Sequence, residues 1–173
     1  MNKISLYEAM DFTESLAHDA FRVLQQVSPY QKEGIYQDVL IKELEKVNIR
    51  TRREIVYTYT YGEDQTLGNN HCMRTDIELP DKQCILELKS LSNTTKTENL
   101  FQLRSYLEQI PKYHWGIVVN FISKYGNDVS PYVECTMLYR NDEELPHVGH
   151  SYSTKTYTSD LYPKLDTIFQ SID

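Results

Sequence analysis

Two short runs of alternating character, Arg74-Thr75-Asp76-Ile77-Glu78-Leu79 and Cys84-Ile85-Leu86-Glu87-Leu88-Lys89, are separated only by Pro80-Asp81-Lys82-Gln83. Alternation on both sides of a turn-forming segment predicts an antiparallel hairpin. Pairing Leu79 with Cys84 fixes the register, and that register sets Asp76 opposite Glu87. Strand side chains alternate in direction, so Ile77 and Leu79 share one face with Leu86 and Leu88. Arg74, Asp76, Glu78, Glu87 and Lys89 are expected on the other. Directly opposed residues have Cα atoms about 5 Å apart. Two carboxylates so placed repel unless something positive sits between them, and Lys89 points to the same spot.

Three readings of this hairpin stay open at the level of the residues. The first is an amphipathic hairpin whose charged face is solvated and carries weak surface ion pairs. The second is a carboxylate pair doing acid/base work of the kind used in glycoside hydrolysis, for which Lys89 has no duty. The third is metal-assisted hydrolysis of a phosphodiester: two hard oxygen ligands suit Mg²⁺, and an ammonium beside them orients water or balances developing charge. The third reading is the sharpest, because it uses all three residues.

The rest of the chain reads as one domain over residues 1–173, long enough to bury a core. Apolar spacing predicts helices over residues 4–27 (through Leu6, Met10, Leu16, Ala20, Phe21, Leu24 and Val27), 34–47 (Ile35, Tyr36, Val39, Leu40, Leu44, Val47) and 98–110 (Leu100, Leu103, Leu107, Ile110). Gln102 and Tyr106 lie one turn apart beside the last stripe. Strands are expected over 53–61, 116–121 and 132–139, a polar loop over 62–70, and a closing helix over 161–172. That order predicts an α/β (α+β) layer with a central mixed sheet flanked by helices. With no long apolar run near the start and an odd count of three cysteines, the expectation is an intracellular, cytoplasmic or nuclear protein, neither secreted nor membrane-spanning. The formal net charge of −7 argues against non-specific coating of nucleic acid. A local basic path through Arg50, Arg52, Arg53, Lys89, Lys96 and Arg104 is still available, although Arg50 to Arg53 also reads as a solvated strand entrance.

Tyr30-Gln31-Lys32-Glu33-Gly34-Ile35-Tyr36, then Arg74-Thr75-Asp76, then Glu87-Leu88-Lys89, then Gln102 with Tyr106, then the Gly116-Ile117-Val118-Val119-Asn120-Phe121 strand, occur in that order. This series resembles the PD-(D/E)XK nuclease superfamily and, within it, the GxxExxY family of small proteins related to lambda-exonuclease-like and RecB-type nucleases. The resemblance spans roughly residues 20 to 121. It implies a restriction-endonuclease-like core and Mg²⁺-dependent cleavage of DNA, with Mn²⁺ as a substitute, in exonuclease or processing work such as DNA repair or recombination. It implies that Asp76, Glu87 and the main-chain carbonyl of Leu88 hold the metal. Lys89 would orient or deprotonate the attacking water, and Glu33 would approach the metal from the helical side. Gln102 and Tyr106 would brace the site and touch the scissile strand, and homo-oligomers are common among such exonucleases. Tyr36 matches the last residue of the named motif but sits on an apolar stripe, so packing is its expected job. Tyr30 stands where that motif has Gly, which puts the shape of the preceding turn in doubt. The alternative is a catalytically silent module of the same fold that binds nucleic acid or a protein partner.

Other signals are read as structural. His147 and His150 have helical ligand spacing, but Pro146 and Gly149 argue against a helix there. Cys72 and Cys84 are expected as small buried residues. Tyr57, Tyr59 and Tyr61 are expected to form one packed strand face, and Trp115 is expected in the core.

Overall fold

The computed structural model describes residues 4–27, 29–60, 70–123, 131–140 and 148–154. Within these, two helices, α1 (Leu6–Val27) and α2 (Glu33–Lys46), precede strands β1 (Arg52–Thr60), β2 (Asn70–Leu79) and β3 (Cys84–Lys89). Helix α3 (Thr97–Gln109) then leads to β4 (Trp115–Ile122), β5 (Tyr132–Tyr139) and β6 (Val148–Ser153). The six strands form one mixed sheet in chain order. Every neighbouring pair is antiparallel except β3 and β4. A parallel pair needs a crossover connection, and α3 supplies it. Helices flank the sheet, giving the α+β, restriction-endonuclease-like architecture expected of the sequence. The expected closing helix at 161–172 and most of the 62–70 loop lie outside the described residues.

Two cores follow from the two faces. One joins α1 and α2 to Ile77, Leu79, Leu86, Leu88, Trp115, Ile117, Val119 and Phe121. Burying each of these large apolar side chains contributes about 1.5–3 kcal/mol. The other joins α3 to Met73, Ile85, Val118 and Leu138. Gly116 is required where α3 crosses β4: a Cβ there would stand 2.8 Å from the Ile85 carbonyl and 2.6 Å from Leu103 Cδ1. Trp115 is fully buried as expected, and its indole N–H donates to the Lys82 carbonyl at 2.9 Å, tying the hairpin turn to the core.

The buried face of α1 runs through Ala9, Thr13, Leu16, Ala17, Ala20, Val23 and Leu24. Leu6, Met10, Phe21 and Val27 flank it rather than lead it, since alanines let this long helix sit close on the sheet. On α2 the buried set is Tyr36, Gln37, Leu40 and Leu44, while Ile35 and Val47 are exposed. Strand β6 carries no signal in the sequence. It pairs along β5 with no apolar run of its own, His150 and Gly149 being buried by what packs on them.

The hairpin register is as expected, with Leu79 paired to Cys84 and Ile77 to Leu86. Its charged face is not solvated at the two glutamates, although Arg74, expected beside them, is exposed. Glu78 and Glu87 are 0% and 1% exposed, because that face is the one α3 covers. The solvated reading of the hairpin is thereby overturned. Alternation also fails at Asp76. Met73 joins the α3-side cluster and the Thr75 hydroxyl reaches Glu78, so odd positions before Asp76 face the side that even positions take after it. The cause is a shared interruption. Glu54, opposite Asp76, adopts φ 48, and pairing of β1 with β2 skips that step.

Candidate active site

The charged residues singled out from the sequence gather at the C-terminal end of β3. Glu87 projects from the buried middle of the sheet, and its Oε1 accepts from the Lys89 ammonium at 2.5 Å. Its other oxygen, Oε2, is buried with no hydrogen-bond partner. An orphaned carboxylate oxygen inside a protein is costly and calls for an explanation. Burial, and then the negative charge of Asp76, push the Glu87 carboxyl up to about 7, against the pull of Lys89. Asp76 lies one step beyond the last hairpin pair, opposite Glu87, where the β2–β3 ladder has ended. Its Oδ2 takes the Leu88 N–H at 2.7 Å, a side chain standing in for the missing ladder acceptor. Burial raises the Asp76 carboxyl too, opposed by the Leu88 hydrogen bond and by Lys89.

Glu33 opens α2 and faces the same cluster. Burial raises its carboxyl, Lys89 lowers it and Asp76 raises it again, so all three charges act on one another. Burial alone would depress the Lys89 ammonium. The hydrogen bond from Glu87 and the charges of Glu87, Glu33 and Asp76 outweigh that and hold it above its ordinary value. Lys89 is therefore a fixed positive charge at neutral pH.

From the other face, α3 braces the Arg74 end of β2. The Tyr106 hydroxyl donates to the Arg74 carbonyl at 3.0 Å and accepts from Gln102 Nε2 at 2.7 Å. The phenol proton is committed to the backbone, and the ring is buried. The loop after β3 is pinned by Asn120, fully buried beside Lys89 in the sheet. Its Oδ1 accepts from the Leu91 N–H at 3.2 Å and its Nδ2 donates to the Asn93 carbonyl at 2.9 Å. Ser90 Oγ donates to the Gln31 carbonyl at 3.1 Å, closing this loop onto the segment before α2. That segment carries Tyr30 at φ 69, a left-handed conformation costly for a residue with a Cβ. The Tyr30 N–H donates to Ser123 Oγ at 3.0 Å. Tyr36 packs as expected, stacked on Phe121 with ring centroids 4.3 Å apart.

Sequence reasoning missed two residues here. Gln37 Nε2 donates to the Asp76 carbonyl at 2.8 Å, and Asn120 looked like an ordinary strand residue. The available signal was a polar side chain in an otherwise apolar stripe. The expected basic path is mostly spoken for. Arg50 pairs with Asp81 at 2.9 Å, Arg53 with Asp38, and Arg104 with Glu108 at 2.8 Å. Cys72 is exposed rather than buried, whereas Cys84 and Cys135 are buried, all three as free thiols. His147 and the Tyr61 side chain lie outside the described residues. His150 is buried against Tyr152, with ring centroids 4.7 Å apart.

Among the described residues, no three His, Cys, Asp or Glu side chains come together tightly enough to hold a metal ion by themselves. The donor set at β3 is smaller: two carboxylates and backbone. Hard oxygens with one unpartnered lone-pair site fit a cation that keeps part of its water, as Mg²⁺ does.

A sequence model of the PD-(D/E)XK nuclease superfamily matches residues 10–130. The chain belongs to the PD-(D/E)XK nuclease superfamily. The matched span contains Glu33, Asp76, Glu87, Lys89, Gln102 and Tyr106. Among curated proteins, none matches. Among solved structures, that titled "Crystal structure of SSO0001" is similar at 20% identity with a TM-score of 0.35, over 70% of this chain and 60% of that one. At that score the likeness adds nothing to the superfamily's restriction-endonuclease-like core. No helix among the described residues is long and apolar enough to cross a membrane.

Proposed function

We propose that this protein, as one domain, is a metal-dependent nuclease that hydrolyses DNA phosphodiester bonds, of the GxxExxY type related to lambda-exonuclease-like and RecB-type enzymes. The observation that carries the reading is Glu87. It is a fully buried carboxylate with one oxygen on an ammonium and the other on nothing, beside a second and a third acid. Asp76, Glu87 and the Leu88 carbonyl would hold Mg²⁺, or Mn²⁺ in its place, with Glu33 approaching from α2. When bound, the cation supplies charge neutralisation for the phosphate and acidifies a water.

Lys89, held protonated by three carboxylates, orients the attacking water and offsets developing negative charge rather than taking a proton. Tyr106 and Gln102 fix the Arg74 end of β2 and so hold Asp76 against Glu87. Tyr30 supports the GxxExxY assignment: the position where that motif has Gly takes the positive φ that glycine adopts freely. Incubation with labelled linear and circular DNA, with Mg²⁺, Mn²⁺ or EDTA, tests the reading. Cleavage should need metal and vanish in Lys89→Ala; undiminished cutting in EDTA sinks it.

One observation favours a second reading, a silent binding module. Lys89 already pairs with Glu87 without metal, and among the described residues no three His, Cys, Asp or Glu side chains gather into a group able to hold a metal ion. Such a module would show no rise in melting temperature with Mg²⁺, whereas a metal held by the folded state stabilises it by mass action.

A further inference from the structure

Asp76 sits where the sheet comes apart on both sides. Pairing of β1 with β2 runs from Arg53↔Ile77 to Ile55↔Thr75 and skips the step between, and pairing of β2 with β3 ends at Ile77↔Leu86. A peptide at such a break loses its ladder partners, and a carbonyl left unpaired away from water is costly. At Asp76 that carbonyl is taken by a side chain from another element. Gln37 Nε2, on a residue only 5% exposed, donates to it at 2.8 Å. Gln37 lies four residues after Glu33 on α2, so one helix face presents both to the site.

We propose that Gln37 is a positioning residue. It clamps the Asp76 peptide in its out-of-ladder conformation and thereby sets where the Asp76 carboxylate meets a cation. This inference rests on the nuclease reading above. Two hydrogen bonds anchor Asp76, one from the Leu88 N–H to its carboxylate and one from the Gln37 amide to its carbonyl. Removing the second frees the peptide to turn, and the carboxylate turns with it. The donor has to be neutral. A lysine or arginine at this position would also satisfy the carbonyl, but it would set a second cation against Glu33 and Asp76 and compete with metal for them.

Gln37→Met keeps length and bulk while deleting the donor, and Gln37→Asn keeps the amide but shortens its reach. Full-length wild type and both variants are titrated with Mg²⁺ and with Mn²⁺ alone, reading melting temperature, and amide exchange at Leu88 is followed without metal. Both variants should need about 10–100-fold more metal for half the shift and should exchange the Leu88 amide faster. Cleavage should recover toward wild type at saturating metal. A merely structural role would lower the metal-free melting temperature and leave the metal midpoint alone. Unchanged midpoints and unchanged Leu88 exchange, with a wild type that responds to metal, overturn the inference by itself. A wild type indifferent to metal overturns the nuclease reading and this inference with it.

Discussion

Glu78 and Glu87 lie on the same face of the same hairpin, both buried, yet they are opposite kinds of residue. Glu78 is satisfied: the hydroxyls of Tyr57 and Tyr113 donate to its two oxygens at 2.5 Å, and the Thr75 hydroxyl lies 3.2 Å from one of them. Lys112 stands 5.1 and 4.9 Å over the rings of those two tyrosines, bringing positive charge near the cage. Glu87 has one ammonium and one bare oxygen. Burial is common to both, so burial does not mark the chemistry. The mark is an acid desolvated without its full set of donors, an arrangement that stability alone would not maintain.

The sharpest way to break this contrast is to make the same change at both positions. Glu87→Gln removes a buried charge while keeping shape. Cleavage should fall by about a hundredfold or more, the loss of several kcal/mol of transition-state stabilisation. The metal-free protein at pH 7.5 should be as stable as wild type or more so, by chemical denaturation. Glu78→Gln should do the reverse. An amide offers one acceptor oxygen where two phenols require acceptors, so unfolding free energy should drop by about 3 kcal/mol, while the Mg²⁺ midpoint stays put. A stable Glu78→Gln protein would erase the distinction.

The pH dependence of stability comes next in size. Glu87 is pushed up to about 7 from an ordinary 4.5, chiefly by burial and then by Asp76. The folded state therefore keeps a proton that the unfolded chain gives up. Its contribution to stability is fully present below about 4.5 and is lost as pH rises through about 7, by roughly 3 kcal/mol without metal. The difference in unfolding free energy between wild type and Glu87→Gln, measured across that window, isolates this one group. Saturating Mg²⁺ should abolish the loss, since a bound cation replaces the proton. A flat difference would mean that Glu87 ionises freely and that its bare oxygen has no consequence.

Asp76, Glu87 and Lys89 could be read from the sequence because alternation and a short connection leave one sensible register. What surrounds them could not. Glu54 carries no glycine or asparagine signal for its positive φ, so the break that frees Asp76 is invisible locally. The role of Gln37 is likewise hidden, because its partner lies 39 residues away. Glu78 cannot be told from Glu87 on the shared charged face for the same reason: its donors come from 21 and 35 residues away, on strand and loop segments that only the folded sheet brings together. Arg50 and Arg53 fit either a path for phosphates or a solvated strand entrance on sequence alone, and they pair with Asp81 and Asp38 at the surface. Periodicity carries register and core. Polar satisfaction is a tertiary property.

The smallest effect probes the cage one donor at a time. Tyr113 is 2% exposed and its hydroxyl reaches Glu78 in a dry interior, whereas Tyr57 is only partly buried at the edge strand. Burial and the Glu78 contact raise both phenols, so both stay protonated and donating at neutral pH. Tyr113→Phe leaves a carboxylate oxygen that no water can reach and should cost about 2 kcal/mol. Tyr57→Phe leaves one that keeps the Thr75 hydroxyl at 3.2 Å and should cost about 1 kcal/mol. Denaturant midpoints at constant m-value report both, and neither change should move the metal midpoint. If the two losses are equal, access to a replacement donor does not set the cost of baring a buried glutamate. The bare oxygen of Glu87 would then call for no cation, and the two glutamates would differ only in their neighbours' names.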